Sequence, residues 1–317
     1  MMGVMSRRRF KKRYLAVTVV VLLFFAINAP GLFALGYRLW YMPRVAQFPK
    51  LLMGQERLLV LSPHPDDETL CCAGAIQQAL RAGGQAYVLW FTSGDGFEWD
   101  TTLVEHSLRP LGSASIELGN RRMLEARKAA GILGIPAAHL YFLGYPDRGL
   151  LKMISEPSRL NRSPFTGADA VPYSQTLSPG AAYTGENLER DFEKVLDVVK
   201  PTLVLAPSPR DAHPDHQAVA ELALRVLGRR GELGHLRYWI VHGGLEWPLP
   251  KGLHENLPLE PPPRGRGLSW ERLDLSAQEQ MVKLEATRAH ASQMKLLSRF
   301  MLAFIRQNEL FSTTPLP

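Results

Sequence analysis

Two short strings bring imidazoles and carboxylates close enough together to do chemistry. The first is Pro63-His64-Pro65-Asp66-Asp67-Glu68; the second carries Asp211 and His213-Pro214-Asp215-His216. Imidazole nitrogen and carboxylate oxygen are donors that a divalent ion such as zinc accepts. A catalytic zinc needs three protein ligands and an open position for water. His64, Asp67 and one histidine of the second string would supply the three, with Pro65 stiffening the loop between the first two. Asp66 stands beside a ligand and is placed to take a proton from the metal's water. Glu68, at a helix start, would support the ligands or face the helix dipole. The competing reading is structural, because acids ahead of a helix also serve as caps. Two such strings, each following an expected strand, favour the metal site.

The surrounding pattern says how the strings are positioned. Buried strands are expected at 57–62, 85–91, 139–143, 202–206 and 236–241, and helices at 70–81, 120–133, 186–199, 216–228 and 276–306. Strand–helix alternation of this kind predicts a parallel α/β sheet. In such sheets ligands bind outside the carboxyl ends of the strands. The strings follow the strands 57–62 and 202–206, so both face one crevice. Residues 154–185 and 243–270 are rich in Pro, Gly, Ser and Asn and read as long loops, either surface decoration or a substrate lid.

Charge divides the chain. The formal net charge is +7, yet residues 1–50 hold nine Lys/Arg and no acid, leaving 28 basic against 30 acidic residues in the remainder. A body without positive excess lacks the footprint that a nucleic-acid backbone requires. Residues 15–36 are almost wholly apolar and about long enough to span a bilayer. Six Lys/Arg precede them, which predicts a cytoplasmic tail at 1–14, a single-pass transmembrane helix at 15–36, a juxtamembrane connector at 37–55 and an extracytoplasmic catalytic domain at 56–317. A cleaved export signal is the alternative. Ser6-Arg7-Arg8-Arg9-Phe10 is also similar to a twin-arginine export motif.

The Pro63–Glu68 string resembles the signature of the zinc-dependent PIG-L/LmbE-type de-N-acetylases, and His213–His216 resembles that family's second motif. Arg122-x-x-Glu125-Ala126, Leu143–Asp147, Lys283 with His290–Gln293, and Asn308–Phe311 resemble further family segments, so the likeness runs over about residues 57–311. It implies a Rossmann-like three-layer sandwich with a mostly parallel central sheet. It implies His64, Asp67 and His216 as Zn2+ ligands and Asp66 as general base. It implies a protonated His213, oriented by Asp215, that stabilises the tetrahedral intermediate, and Arg122 and Asp147 as substrate contacts. The implied activity removes acetyl from an N-acetylated sugar or glycolipid. The 154–185 insert and the anchored setting depart from the family pattern and bear on the substrate. Alternatives of another kind are a tethered sugar- or metal-binding module without catalysis, for which Asp66 has no use, and an amidase acting on a thiol conjugate or antibiotic precursor.

The other candidates carry less. Cys71 and Cys72 are adjacent and read as small buried side chains. His290 reads as a packing histidine. His106, His139, His235, His242 and His254 have no sequence neighbours that give them a role. No Gly-x-Gly-x-x-Gly follows a strand and no Walker loop or Gly-x-Ser-x-Gly elbow occurs, so a nucleotide cofactor or a serine nucleophile is unsupported.

Overall fold

The computed structural model describes residues 2–96 and 112–316; His106 lies outside the described residues. The chain separates into two compact units, Met1–Gln47 and Phe48–Pro317.

In the first unit the helix α1 runs over Met2–Val45. It bends by 59° between Val17–Ala26 and Gly31–Val45, so no single described helix is long and apolar enough to cross a membrane, and only the bent pair reaches that length. The break falls at the Pro30-Gly31 step, where proline withholds a main-chain donor.

The second unit is built on seven strands: β1 (Arg57–Ser62), β2 (Gln85–Thr92), β3 (Leu140–Tyr145), β4 (Leu203–Pro207), β5 (Leu236–Trp239), β6 (Trp270–Asp274) and β7 (Asn308–Ser312). Their order in the sheet is β3-β2-β1-β4-β5-β7-β6. The first five pair in parallel, while β7 runs antiparallel to β5 and β6. The expected α/β sheet is therefore present, mixed rather than wholly parallel. The helices following in chain order are α2 (Asp67–Arg81), α3 (Ser113–Ile132), α4 (Leu150–Ser155), α5 (Gly185–Val199), α6 (Pro214–Arg230), α7 (Ala277–Ala289) and α8 (Ala291–Met301). Helices α2, α3 and α7 pack together, and α4, α5 and α6 form a second group. Right-handed crossovers account for this division. Steps from β1 to β3 move one way along the sheet and those from β3 to β5 move the other, which puts their helices on opposite faces.

Because β1 and β4 are neighbours, the loops after them emerge side by side although about 150 residues separate them in sequence. The strand order reverses between these two strands, which is where open α/β sheets form their crevice.

Three features differ from the sequence expectation. Residues 276–306, expected as one helix, break at His290 into α7 and α8 and are followed by the edge-region strand β7. All five residues of β7 are buried, and Glu309 within it accepts the Lys283 ammonium at 2.7 Å and the N–H groups of Gly74 and Ala75 at 2.8 and 3.1 Å. Polar residues whose partners come from distant segments remove the alternation by which strands are recognised. The connector expected over 37–55 divides: residues from Phe48 onward belong with the body, where Leu51 and Pro49 pair with Arg272 of β6 at 2.8 and 2.9 Å. Residues 156–184 contain no helix or strand, as the loop reading expects, but they are packed: Val171, Tyr173 and Tyr183 are buried.

Candidate active site

The loop after β1 turns directly into α2. Asp66, the residue before the helix, has φ 145°. A side-chain-bearing residue in that region costs about 1–3 kcal/mol and persists only when its surroundings over-determine it. They do so here. Its N–H donates to Glu68 Oε2 at 3.0 Å, and Gln293 of α8 donates to its Oδ2. Glu68 is itself fixed by the Trp90 indole at 2.9 Å and by His290 at 3.2 Å. Its role is to hold the Asp66 backbone. His290 is a buried interior histidine whose Nε2 meets Glu68 and Thr69, so it sits in the network that positions Asp66. The Asp66 side chain makes no cap bond to the helix, so the capping reading does not account for it.

Asp67 turns inward. Its Oδ2 accepts the His64 N–H at 3.0 Å and lies 3.4 Å from His64 Nδ1 and 3.3 Å from His216 Nε2. His216 Nε2 and His64 Nδ1 are 3.3 Å apart. Three donor atoms thus form a nearly equilateral triangle. Around a tetrahedral ion with bonds of about 2.0–2.1 Å, donors are separated by about 3.3–3.4 Å. The triangle fits one face of such a tetrahedron, with the fourth vertex free. His64, His213 and His216 also bring nitrogens within 4.8 Å of one another, and two further triples, Asp211 with His216 and His242, and His64 with Asp147 and Asp215, bring nitrogens and carboxylate oxygens within the same distance.

Carboxylates hold the far nitrogens of both imidazoles. His64 Nε2 lies 3.2 Å from Asp215 and 3.4 Å from Asp147. His216 Nδ1 lies 3.2 Å from Asp211. This is the arrangement that fixes the tautomer and orientation of a ligating histidine. Burial opposes charge on His216, yet Asp211 and Asp67 raise it to about 10. Against the same opposition Asp147, Asp215 and Asp67 hold His64 well above the ordinary histidine range. The carboxylates around the two rings therefore favour positive charge at this point.

His213 differs. It is the residue before α6, and its Nδ1 accepts the Asp215 N–H at 3.2 Å, which leaves the ring proton on Nε2. Burial, then the charges of His64 and His216, lower it to about 4. Asp215 orients it through the main chain, while the Asp215 carboxylate goes to His64 and to the N–H groups of Arg148 and Leu150 at 2.6 and 3.2 Å. Asp66 moves the other way: burial, then the Asp67 charge, push it up to about 7.

One cleft is lined by His64, Asp66, Asp67, Arg122, Asp147 and His213, joined by His242, Gln293 and Phe300. His216 and Asp215 lie beneath it, fully buried. All eight residues singled out from sequence therefore converge. Arg122 is buried and donates to the Gly94 carbonyl; Asp147 accepts the Gly96 N–H at 3.1 Å. Three contributors escaped the sequence reading. His242 lines the cleft with its ring 4.9 Å from that of His216, so the expectation that it has no role is corrected; it follows β5, and only the topology brings it here. Gln293 was visible only as part of a resembling string. Asp211 was visible, two residues before His213, as one more acid in a loop. It accepts N–H groups from His213, Val241 and His242 at 2.8–2.9 Å, tying the loops after β4 and β5 together.

Asp211→Asn is expected to weaken divalent-metal affinity about 10–100-fold, the usual effect of removing a ligand's outer partner. Competition with a chromogenic chelator measures it, with circular dichroism confirming the fold. Affinity unchanged from wild type would contradict the orienting role.

The comparisons with known proteins bear on the family. The family model of the PIG-L GlcNAc-PI de-N-acetylases matches residues 59–227. A protein of Actinosynnema mirum named 1D-myo-inositol 2-acetamido-2-deoxy-alpha-D-glucopyranoside deacetylase is 25% identical over 254 residues, 77% of this chain and 82% of that one. A protein of the same name from Mycobacterium sp. (strain KMS) is 26% identical over 192 residues, 58% of this chain, and that match spans only 54% of the relative's length. A solved antimicrobial-reagent pseudoaglycone deacetylase superposes with a TM-score of 0.53 at 20% identity, covering 81% of this chain and 96% of that structure, which is a likeness of fold. With more than half of its length matched, including both metal-type strings, the chain belongs to the PIG-L family of GlcNAc-PI de-N-acetylases.

Proposed function

We propose that the chain is a zinc-dependent hydrolase that removes the acetyl group from an N-acetylglucosamine-type sugar. The observation that carries this reading is the donor triangle of His64, Asp67 and His216 with the strained Asp66 beside it at the floor of one cleft. A non-catalytic module would have no reason to keep that strain. Relatives named as deacetylases of a 2-acetamido sugar support the substrate class.

Those three residues would hold the zinc, which when bound would lower the pKa of a water and polarise the acyl oxygen. Asp66 takes the proton of the attacking water. Gln293 occupies one of its oxygens and leaves the other for that task. A carboxyl already pushed to about 7 by burial is a base matched to neutral pH. His213 presents its Nε2–H to the acyl oxygen as negative charge develops there, and its ring is already turned by the Asp215 N–H. The proton held by Asp66 then passes to the departing amine, giving acetate and the free amino sugar. Arg122 and Asp147 contact the sugar hydroxyls from the cleft wall.

Acetate release from a panel of N-acetylglucosamine oligosaccharides, lipid-linked sugars and thiol glycosides tests the activity. Within it, Asp66→Asn is expected to keep about one zinc per chain and lose roughly 10²–10⁴ in turnover. Asp67→Asn is expected to lose most of the zinc together with the activity. Reversed metal contents would exchange the two roles. Full activity in both variants would end the reading.

We further propose that residues 15–36 anchor the chain and hold the body outside the cytoplasm. The support is the acid-free basic tail and a helix apolar all round, with Val20, Leu22 and Phe24 about 60% exposed. A reporter joined after Pro317 is expected to be active only when exported. Activity confined to a cytoplasmic reporter would contradict this. Release from the membrane at reduced mass would identify the segment as a cleaved signal.

A further inference from the structure

The cleft wall that carries Arg122 and Asp147 is held from behind. Both residues fasten to one short loop, Ser93–Gly96, at the end of β2: the Arg122 guanidinium donates to the Gly94 carbonyl, and Gly96 donates its N–H to Asp147 at 3.1 Å. Between those two points lies Asp95, fully buried and not part of the cleft lining. One of its carboxylate oxygens accepts the Tyr173 hydroxyl at 2.6 Å, and the other has no hydrogen-bond partner among the described residues. Tyr173 belongs to the irregular segment between α4 and α5.

That segment is seated, not draped. Tyr173 passes so close to α3 that a Cβ on Gly119 would fall 2.3 Å from its hydroxyl oxygen; Gly119 is one helical turn before Arg122. Phe165 lies against the loop end, where a Cβ on Gly96 would fall 2.3 Å from its ring. The Leu177 N–H bonds the Phe142 carbonyl of β3 at 2.8 Å, fixing the segment to the strand that leads to Asp147. Side chains from one insert thus fill hollows in α3 and in the β2 loop, the two elements that bear on Arg122.

We propose that residues 156–184 form the rear of the substrate-binding wall, with Tyr173 a positioning residue that sets Arg122 and Asp147 through Asp95. The tether touches none of Asp66, Asp67 or His216. His64, which Asp147 approaches at 3.4 Å, has a second partner in Asp215 at 3.2 Å. Loosening the tether therefore displaces the groups that grip the sugar while the metal donors and the base stay in place. Burial, then the Asp95 charge, raise the Tyr173 phenol, which stays protonated and donates. The effect falls on substrate binding: a wall displaced equally in ground and transition states raises KM and leaves kcat.

This inference rests on the deacetylase reading for its kinetic arm only. Tyr173→Phe removes the tether without changing the ring, and Gly119→Ala displaces Tyr173 from the opposite side. Each is expected to raise KM for acetate release roughly tenfold, with kcat within about twofold and zinc content unchanged. Crystal structures of the variants are expected to show Asp95 and the Gly94 carbonyl displaced and the Arg122 contact lengthened. A Tyr173→Phe variant with wild-type KM and an unmoved 93–96 loop, or a loss of kcat with KM unchanged, would overturn the inference. If the wild-type chain releases acetate from nothing on the panel, the deacetylase reading fails instead, and the displacement of the loop still decides whether Tyr173 sets Arg122.

Discussion

Two imidazoles and a carboxylate with their donor atoms 3.3–3.4 Å apart are an expensive thing to bury. Their lone pairs converge, and three further carboxylates, of Asp147, Asp211 and Asp215, press on the rings from outside. Such a cluster is stable only around positive charge. A divalent ion held by the three donors would meet that demand. Much of the remaining architecture follows from this demand. The β1 loop has to deliver two ligands three residues apart, and the β4 loop a third. Parallel pairing of β1 with β4 at the reversal of strand order is what brings them to one point.

The base is set by a different device. Asp66 adjoins a ligand, so its side chain reaches the cleft only with a backbone conformation that few residues tolerate. The buried Glu68–His290 pair holds the main chain, and Gln293, three residues after His290, holds the side chain. The break between α7 and α8 has a purpose in these terms. A continuous helix would carry His290 and Gln293 on one uninterrupted surface; with the break, one reaches Glu68 beneath the loop and the other reaches Asp66 at the cleft.

The first five strands were legible because each is a short apolar run, and the two metal-type strings because they sit where two of those strands end. The eight site residues named from sequence do converge. What remained hidden depends on distant partners. β7 reads as polar until Glu309 is seen against Lys283 and the α2 main chain. The His290 break lies inside a helical pattern, and the carboxylate that His290 meets, Glu68, is more than 200 residues away. His242 gains its place only from the order of β4 and β5. Asp66 and Asp67, chemically identical neighbours, differ in backbone angle and in which face of the loop they occupy, and neither property is written in their spacing. Composition marked 156–184 as a loop; its packing against Gly96 and Gly119 is a property of shape.

The claim on which all this rests is that His64, Asp67 and His216 bind one ion through nitrogen and oxygen. X-ray absorption at the zinc edge of the metal-loaded chain tests it directly. The account predicts one zinc surrounded by about four light scatterers at about 2.0–2.1 Å, two of them imidazole, with the imidazole count falling from two to one in any zinc that His216→Ala retains. A sulfur scatterer at about 2.3 Å, which would point to Cys71 or Cys72, or a chain that takes up no zinc at neutral pH, would contradict it.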